Sequence, residues 1–572
     1  MRVDRIRVQN YRNLADIDIS LGPGTVIVGE NRAGKSNLLR ALRLVLDPTL
    51  PNSERELRPE DFWDGLSDGS STWNPISAGE IIQVSVDLAD FDDEPNVVNA
   101  LADALLMTKP LRARMTYLWA PSEVASDGRN VYRWRIFGGE SQESRIPQEL
   151  RQQIYMTFLH ALRDVESDIR NWRRSPLRAL LQAAAEAASS GGSLDEVRAA
   201  MEQANTMLNA LPSVQELSNQ ISSRTQQMVG TNQAIATELG VAPPDPMRLI
   251  RSMRIFIDGE AQRSLGSASL GSLNVLYLSL LQLGLDARLA EAAAAHVVVA
   301  VDEPEAHLHP HLQRLIFKEL LHTGIHSRTM LVTTQSPYIA SVADPRNLVI
   351  LRSTATSTSA SVARDAELSE AEWNDISRYL DATRAEIVFA RRVILVEGYA
   401  EQVLIPSIAS SMGIELDKLG VSVCSVHGTH FLSYVKFCQA LHLPWIVLTD
   451  ADETDDKGVS RGHRRGRRLI EPETGPLEDH GIFVGESTFE IDLFNVADTN
   501  RDAFCQVLND LSRTEAQRTQ IEAWINAGAP SEMLLDFVKL VGGKGRVAQR
   551  LASRHLVAPP YIKNALLSAT SK

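Results

Sequence analysis

Residues 391–401 read RRVILVEGYAE, and residues 446–452 read IVLTDAD. Each stretch is a short run of β-branched and aliphatic residues that ends in carboxylates. This pattern is typical of a buried strand in a parallel sheet that carries acidic groups to the sheet edge. Asp450 and Asp452 are two residues apart, so both side chains would face the same way on an extended strand. Together with Glu397, they offer the oxygen ligands that a hard divalent cation needs.

A second motif lies far upstream. Residues 29–36 read GENRAGKS and stand between a predicted strand and a predicted helix, which is the context of a Walker A loop. The loop's backbone N–H groups and the helix N-terminus would surround phosphate. Lys35 would bridge the β- and γ-phosphates of ATP, and Ser36 would hold Mg²⁺. The other predicted nucleotide contacts of the loop are Gly29, Asn31, Gly34 and Asn37.

The strand Val297–Val301, followed by Asp302 and Glu303, resembles a Walker B motif. Asp302 would bind Mg²⁺ through water, and Glu303 would activate the attacking water. The next residues, PEAHLHP at 304–310, resemble the segment after Walker B in RecF-, OLD- and SMC-like ATPases. A metal site is the alternative for the histidines near this point, which are His307, His309 and His311. We favour a helix start and an interface loop, because Pro310 and the resemblance explain the run.

Two further segments resemble parts of ABC-type ATPases. Residues 269–274 read SLGSLN and resemble a degenerate signature motif, in which Ser269 and Gly271 would cap the γ-phosphate of an opposing subunit. A plain helix start is the alternative. Residues 331–337 read LVTTQSP, and Gln335 stands where this superfamily often carries a histidine that senses the γ-phosphate. This departure argues against rapid ATP turnover and leaves ATP binding intact.

The combination VEGxxE at 396–401, followed by DxD, resembles a Toprim domain, the metal-dependent fold of topoisomerases, primases and some nucleases. An ATPase followed by Toprim in one chain resembles the overcoming lysogenization defect (OLD) family of endonucleases. That family includes the nuclease subunit of the Gabija anti-phage system. The segments HGTHF at 427–431 and TFEIDL at 488–493 also occur in the family's order, so the resemblance covers nearly the whole chain.

The resemblance implies a catalytic site with two Mg²⁺ or Mn²⁺ ions, which could activate a water and stabilise the leaving 3′-oxygen. Glu397 would also act in acid–base chemistry. Lys544, in GGKG at 542–545, matches a C-terminal lysine that would neutralise charge in the transition state. The acidic residues that match the family's metal ligands are Glu397, Glu401, Asp450, Asp452 and Glu490.

The chain has 572 residues and a formal net charge of −14. This charge argues against a protein that coats nucleic acid with its whole surface, but it allows a local basic groove. The densest positive cluster is RGHRRGRR at 461–468, which we interpret as a loop that contacts the DNA backbone; a solvated loop without a partner is the alternative. Asp455 and Asp456, just before it, are interpreted as loop charges. The DNA-contact candidates are Arg464, Arg465, Arg467 and Arg468.

Composition indicates a globular protein of the reducing cytoplasm. Hydrophobic residues make up 44% of the chain and charged residues 23%, which are ordinary values. We expect no membrane contact, because no stretch looks long and apolar enough to span a bilayer and the N-terminus has no signal-peptide core. Cys424, Cys438 and Cys505 have no metal-ligand or disulfide spacing.

We therefore predict an α/β chain, in which an ABC-type ATPase head with a helical insertion precedes a C-terminal Toprim domain. The polar stretch 353–361 is interpreted as a loop or an exposed linker. The predicted parts are 1–144 and 246–380 for the ATPase, 145–245 for a helical insertion that dimerises, and 381–572 for the Toprim nuclease domain.

The expected function is an ATP-binding, divalent-metal-dependent DNA endonuclease in anti-phage defence or DNA processing, with weak ATPase activity at most. The expected partners are DNA, a second copy or more of the chain, and a UvrD-like helicase. One alternative is an SMC- or RecF-like DNA-binding ATPase scaffold. The other is a topoisomerase or primase, although neither a tyrosine-nucleophile domain nor a zinc module is evident.

Overall fold

The computed structural model describes the chain in two compact units. The first consists of residues 1–161, 295–305 and 310–572, and the second of residues 162–294 and 306–309. Asp455 and Asp456, and the predicted part boundaries at 145 and 381, lie outside the described residues. The description omits residues 71–72, 107, 127–128, 145, 147–150, 152–153, 160–168, 170–174, 191–192, 230–238, 240–244, 258–262, 291–294, 323–327, 381–383, 455–457, 528–529 and 571–572.

The first unit begins with an antiparallel sheet in the order β2-β1-β4-β6-β5, with β7 paired to β6. Its inward side chains, such as Ile6, Val8 and Val84, are fully buried and pack on the helix Lys35–Leu46. The strands are β1 (Arg2–Tyr11), β2 (Leu14–Ser20), β4 (Ile82–Ala89), β5 (Leu105–Leu106), β6 (Arg112–Val124) and β7 (Asn130–Gly138).

The second sheet of this unit has the order β14-β13-β3-β12-β11-β8, and every pair except β13–β14 is parallel. Its central strands are continuous apolar runs buried on both faces, as parallel strands between helices must be. The parallel arrangement brings the ends of β3, β11 and β12 to one edge. The strands are β3 (Gly24–Gly29), β8 (Ile154–Leu159), β11 (His296–Asp302), β12 (Arg328–Thr334), β13 (Leu348–Ser353) and β14 (Thr358–Val362).

Two predictions fail within this sheet. Residues 353–361, predicted as a loop or linker, form the turn and second strand of the β13–β14 hairpin. The hairpin forms because Thr354 and Ser357 close its turn and the Thr358 hydroxyl donates to the Ala33 carbonyl. Strand β8 lies inside the range predicted as a helical insertion, because its apolar residues Ile154 and Met156 are buried beside β11.

The C-terminal part of the first unit is a four-stranded parallel sheet in the order β16-β15-β17-β18. It confirms the predicted Toprim fold. Its core includes Ile394, Ile446 and Phe483, packed against flanking helices. The strands are β15 (Arg392–Val396), β16 (Val421–Ser425), β17 (Trp445–Thr449) and β18 (Ile482–Val484).

The first unit also contains the following helices, with several short turns among them. They are Lys35–Leu46, Asn52–Arg55, Pro75–Ala78, Pro95–Ala100, Pro310–His322, Pro337–Ala340, Glu370–Tyr379, Tyr399–Ser411, Leu416–Leu419, Phe431–Ala440, Arg461–Ile470, Phe489–Asn495, Asp498–Leu511, Glu515–Ala527, Ser531–Leu540, Lys544–Leu551 and Pro560–Thr570.

The second unit is helical, with one short strand pair, β9 (Phe256–Ile257) and β10 (Arg263–Ser264). The helix Leu270–Ala290 is long and apolar enough, by length and composition alone, to cross a membrane. The expectation that no stretch meets this test is therefore wrong, although core helices of soluble proteins pass it too. The helices are Leu177–Ser190, Ser193–Asn209, Pro212–Val229, Pro246–Ser252 and Leu270–Ala290.

Candidate active site

Glu397 and Asp450 follow two neighbouring parallel strands, β15 and β17. Glu397 Oε1 accepts hydrogen bonds from the Thr449 hydroxyl at 2.5 Å and from the Asp450 backbone N–H at 3.0 Å. Asp450 Oδ1 accepts a hydrogen bond from the backbone N–H of Phe489 at 2.9 Å. Sheet geometry thus fixes both carboxylates at the carboxyl edge of the strands.

Asp452 does not continue the strand as the sequence predicted. Strand β17 ends at Thr449, the side chain of Ala451 is buried, and Asp452 has a φ of 55°. The chain therefore turns after Asp450, which leaves the Asp452 carboxylate 34% exposed while Asp450 is only 8% exposed. The two-residue spacing alone cannot predict this direction, because it assumes extended backbone.

Glu401 and Glu490 reach the same region from two helices. Glu401 lies in the first turn of Tyr399–Ser411, and Glu490 lies in the first turn of Phe489–Asn495 with only 4% exposure. Lys544 Nζ donates to Glu490 Oε2 at 2.7 Å. Glu490 Oε1 is buried and has no hydrogen-bond partner, so one carboxylate oxygen is left without the compensation that burial demands.

This cluster places several carboxylates close together in a largely buried environment, and both effects raise carboxyl pKa values. Burial, followed by the charges of Glu397, Glu401 and Glu490, raises the pKa of Asp450 to about 9. Burial, followed by the charge of Glu490, raises the pKa of Glu401 to about 7. Burial alone would lower the pKa of Lys544, but the Glu490 charge and hydrogen bond raise it.

Arg465, predicted to contact DNA from a loop, belongs to this site. The basic run forms the helix Arg461–Ile470, and Arg465 donates to Glu397 Oε1 at 2.6 Å, to Asp452 Oδ2 at 2.6 Å and to the Thr449 hydroxyl. Its side chain is 16% exposed, so the prediction of a loop residue facing DNA is wrong for it. The capping hydroxyl of Ser460, which accepts from the His463 backbone N–H, starts the helix.

Two glycines explain why Arg465 reaches the carboxylates. A Cβ at Gly462 would lie 2.1 Å from the Asp450 carbonyl oxygen, and one at Gly466 would lie 2.8 Å from the Leu477 side chain. Only a helix face without side chains at these two positions can approach β17 and β18 this closely. The i, i+4 glycine pair inside a run of arginines was the signal in the sequence that could have indicated a packed helix.

The other arginines of the run lie on the outer side of the helix. Arg464, Arg467 and Arg468 are exposed, and Arg467 donates to the Gly475 carbonyl. The prediction that they contact DNA stays a prediction. Among the residues described, no three His, Cys, Asp or Glu side chains are already arranged to hold a metal ion. Arg465 and Lys544 engage carboxylate oxygens that a cation would use.

The carboxylate cluster nevertheless fits a divalent cation. The buried Oε1 of Glu490 has no hydrogen-bond partner, and burial beside other carboxylates raises the pKa of Asp450 to about 9. Hard cations bind oxygen ligands of this kind. The histidine alternative gains no such support: His307 and His309 lie in the second unit and His311 in the first, and the described residues include no histidine-based metal group.

The phosphate loop lies at the edge formed by β3 and β11. Gly34 has a φ of 92°, and a Cβ there would lie 2.7 Å from the Asn13 side-chain nitrogen, so glycine is required. Lys35 is buried, and its Nζ donates to the carbonyls of Gly29 at 2.8 Å and Glu30 at 3.1 Å. These loop carbonyls hold the ammonium at the position from which it could meet phosphate.

The loop's polar residues also meet the predicted Walker B residues. The Ser36 hydroxyl donates to Asp302 Oδ1 at 3.0 Å, and Thr333 donates to the same oxygen at 2.6 Å. The Asn37 side chain accepts from Arg12 and donates to Asn13. Asn31 is exposed on the loop. The geometry thus brings Ser36 and Asp302 together, as joint coordination of Mg²⁺ by the two residues requires.

Glu303 and Gln335 are in contact. Gln335 Nε2 donates to Glu303 Oε1 at 2.6 Å, and Lys35 Nζ lies 3.5 Å from the same oxygen. Glu305 is not among the predicted site residues, but its carboxylate accepts from the Gln335 backbone N–H at 2.7 Å and from the Thr334 hydroxyl at 2.9 Å. Burial raises the pKa of Glu305. Glu305 therefore fixes the β12 end that carries Gln335.

The predicted signature residues lie in the second unit. The Ser269 hydroxyl accepts from the Ser272 backbone N–H at 3.1 Å, just before the helix Leu270–Ala290. A Cβ at Gly271 would lie 2.9 Å from the His307 carbonyl. This is the geometry of a capped helix start, which the sequence offered as the alternative; the role in phosphate capping stays a prediction.

Comparisons with known proteins follow the same division of the chain. Residues 388–452 match the family described as overcoming lysogenization defect protein-like, TOPRIM domain, and residues 1–106 and 134–340 match the AAA ATPase domain. The chain is 26% identical to the OLD nuclease of Thermus scotoductus over 459 residues, which cover 78% of this chain and 81% of that protein.

Another relative and one solved structure are also similar to this chain. The chain is 21% identical over 478 residues to Endonuclease GajA of Bacillus cereus, with 80% of this chain and 76% of that protein covered. Among solved structures, the C-terminal region of the Burkholderia pseudomallei OLD protein is 36% identical; the match covers 32% of this chain and 97% of that one, with a TM-score of 0.28.

Proposed function

Since this chain belongs to the OLD family, with an AAA ATPase domain followed by an OLD-like Toprim domain, we propose that it is an ATP-binding, divalent-metal-dependent DNA endonuclease. The observation that carries the proposal is the buried carboxylate cluster with Lys544 at the end of the Toprim strands. Relatives named as an OLD nuclease and an endonuclease support the same reaction class.

The cluster provides oxygen ligands for divalent cations on several sides. Asp450 and Glu490 supply the buried oxygens and Asp452 an exposed one. When bound, Mg²⁺ or Mn²⁺ would supply charge for the phosphate oxygens and lower the pKa of bound water. The proposed metal ligands are Glu397, Glu401, Asp450, Asp452 and Glu490.

The remaining polar groups orient these ligands and balance charge. The Thr449 hydroxyl and the Asp450 N–H hold one oxygen of Glu397, which leaves its second oxygen to take or give a proton at the attacking water. Lys544 is half exposed beside Glu490, so its ammonium can also meet a phosphate oxygen and neutralise charge that develops there.

The ATPase site is proposed to bind ATP with Mg²⁺ and to turn it over slowly. Lys35 and Ser36 would hold the phosphates and Mg²⁺, with Asp302 supporting the ion. The side chain of Glu303 is already engaged by Gln335 at 2.6 Å, so a water that Glu303 would activate competes with the amide for that carboxylate. This contact supports slow hydrolysis.

The test is plasmid cleavage by the full chain with Mg²⁺ or Mn²⁺. We expect nicking, and we expect Asp450→Ala and Glu397→Ala to lose it while keeping the fold and ATP binding. Full cleavage by a folded Asp450→Ala protein contradicts the metal assignment. Relaxation to discrete topoisomers would favour the topoisomerase alternative, and DNA binding without any cleavage would favour the scaffold.

Self-association, a UvrD-like helicase partner, a cytoplasmic location and a role in anti-phage defence belong to the same proposal. The helices Ser193–Asn209 and Pro212–Val229 expose large apolar side chains that a second copy of the chain would cover. Sedimentation of the full chain tests this, and a monomer at micromolar concentration, with and without ATP, contradicts it. The exposed residues are Val197, Met207, Leu208, Leu217, Ile221 and Met228.

A further inference from the structure

Arg465 stands where the proposed metal site needs positive charge. One nitrogen of its guanidinium, Nη1, is 2.6 Å from Glu397 Oε1, and the other, Nη2, is 2.6 Å from Asp452 Oδ2. The two carboxylates follow different strands, so a single planar group links the segments that come after β15 and β17. A guanidinium suits this role because its nitrogens diverge in fixed directions and it stays charged at every physiological pH.

The position of Arg465 is built into the fold. Gly462 and Gly466 bring the helix Arg461–Ile470 against the backbone after β17, as their missing Cβ atoms show. Gly462 N–H donates to the Ala451 carbonyl at 2.9 Å, and Arg461 N–H donates to the Glu453 carbonyl at 3.0 Å. The segment that carries Asp452 is therefore tied to the first turn of the helix, and Arg465 follows one turn later.

We propose that Arg465 is a positioning residue that acts as a built-in substitute for a divalent cation. In the metal-free protein it holds the Glu397 and Asp452 carboxylates together against their mutual repulsion, and it releases them when a divalent cation binds. This inference rests on the proposed nuclease site. It explains why that site is acidic and ordered before metal binding, yet has no three ligands already arranged around one point among the described residues.

Release follows from competition for the same oxygens. Divalent cations bind carboxylate oxygens at about 2.0–2.6 Å, and Arg465 occupies one oxygen of each of two ligands. A guanidinium beside a bound dication would also be repelled at short range. Lys544 cannot serve the same purpose. Among the described carboxylates, its ammonium is hydrogen-bonded only to Glu490.

The test measures binding of Mn²⁺ alone to the full-length chain after removal of metal, without DNA. We expect Arg465→Gln to bind Mn²⁺ roughly tenfold more tightly than the wild type, the factor that corresponds to removing about 1.4 kcal/mol of competition. Its metal-free melting temperature should fall, and Mn²⁺ should raise that temperature by more than in the wild type. Arg468→Gln, an exposed change of equal charge on the same helix, should leave affinity within about twofold.

The direction of the change separates this proposal from a purely structural role. If Arg465 only supported the fold, its removal would weaken Mn²⁺ binding or leave it unchanged, and either result in a folded Arg465→Gln protein overturns the proposal. If that variant does not fold, Arg465→Lys replaces it: one ammonium cannot link both carboxylates, so tighter Mn²⁺ binding than the wild type is again expected, and equal or weaker binding overturns the proposal.

A failure of the proposed nuclease site would give a different result in the same measurement. If wild type and Asp450→Asn bind Mn²⁺ equally weakly, the carboxylate cluster is not a metal site, and the proposed function falls with it. If the wild type binds Mn²⁺ and Asp450→Asn does not, the site stands, and the affinity of Arg465→Gln then decides the role of Arg465 alone.

Discussion

Burial and neighbouring carboxylates both disfavour the charged form of Asp450. Its carboxyl is 8% exposed and faces Glu397, Glu401 and Glu490, with Lys544 as the nearby cation. An ordinary aspartate has a pKa of about 3.9 when unfolded, whereas here the pKa is about 9. The folded protein therefore holds a proton that the unfolded chain releases.

This raised pKa predicts a pH dependence in the metal-free protein. Between about pH 4 and 9 the folded state binds more protons than the unfolded state, so the free energy of unfolding should fall as pH rises. Glu401, with its pKa of about 7, adds to the decline in the lower part of that range. Denaturant unfolding in EDTA at about pH 5.5, 7 and 8.5 should show a flatter decline for Asp450→Asn than for the wild type.

The matched control is Asp536→Asn, an exposed aspartate in the same part of the chain. Its unfolding free energy should follow the wild-type pH dependence. Parallel curves for Asp450→Asn and the wild type would show that Asp450 does not carry the extra proton.

The apolar strand pattern predicts where Glu397 and Asp450 lie, but it does not predict where a strand ends or how closely a helix packs. Apolar runs that end in Glu397 and Asp450 predict neighbouring positions, because parallel strands share a carboxyl edge. The direction of Asp452 was predicted wrongly, since it depends on where β17 ends. Arg465 was misassigned because a run of arginines indicates solvent, and only the close approach allowed by Gly462 and Gly466 reverses that interpretation.

At the scale of elements, the helix Arg461–Ile470 depends on its contact with the sheet. A Cβ at Gly462 would meet the Asp450 carbonyl at 2.1 Å and the Val484 side chain at 2.9 Å, and backbone cannot move aside cheaply. We expect Gly462→Ala to destabilise the protein by about 1–3 kcal/mol, as overpacking does. Urea unfolding measures this, with Arg468→Ala on the outer face as the control; equal stability of the two variants would contradict the packing argument.

The outer face of the same helix gives a separate prediction. Replacing Arg464, Arg467 and Arg468 with glutamine should weaken DNA binding equally across sequences, because side chains that bind phosphate carry no sequence information. The slope of log affinity against log salt should flatten by about 0.9 for each phosphate that the variant no longer neutralises. Binding isotherms at several salt concentrations measure both effects.

The control removes the same charge elsewhere, with Arg198, Arg378 and Arg518 replaced by glutamine, all of them about half exposed or more. Superimposable binding curves for the two triple variants would show that these three arginines of the helix do not contact DNA.

The β13–β14 hairpin shows the limit of prediction at this scale. Its serine- and threonine-rich strand resembles a linker in composition. It is ordered by pairing with β13, by the hydrogen bond from the Thr358 hydroxyl to the Ala33 carbonyl, and by the hydrogen bond from the Thr358 N–H to the Asn13 carbonyl. Ala33 and Asn13 are more than 300 residues away in the sequence, so composition alone could not indicate the strand.

At the scale of the first unit, the phosphate loop and the Toprim sheet are in direct contact. Glu30, the second residue of the loop, pairs with Arg391, whose Nε and Nη2 lie 2.7 and 3.0 Å from its two carboxylate oxygens. Arg391 immediately precedes β15, the strand that ends just before Glu397. A second link runs from Arg352 on β13 to the carbonyls of Leu441 and His442 at 2.8 and 2.9 Å.

These links predict that nucleotide binding and cleavage are coupled through Arg391. A nucleotide that reshapes the loop around Glu30 must change a contact at the start of β15, and coupling between two sites is reciprocal for binding. In Arg391→Gln, the ratio of cleavage rates with and without ATP, at fixed free Mg²⁺, should move toward one. The pair is exposed, so removing it should cost at most about 1 kcal/mol of stability, and the melting temperature should barely change.

Arg378→Gln, which removes an exposed pair of the helix Glu370–Tyr379, should keep the wild-type ratio. An unchanged ATP response in Arg391→Gln would contradict coupling through the Glu30–Arg391 pair.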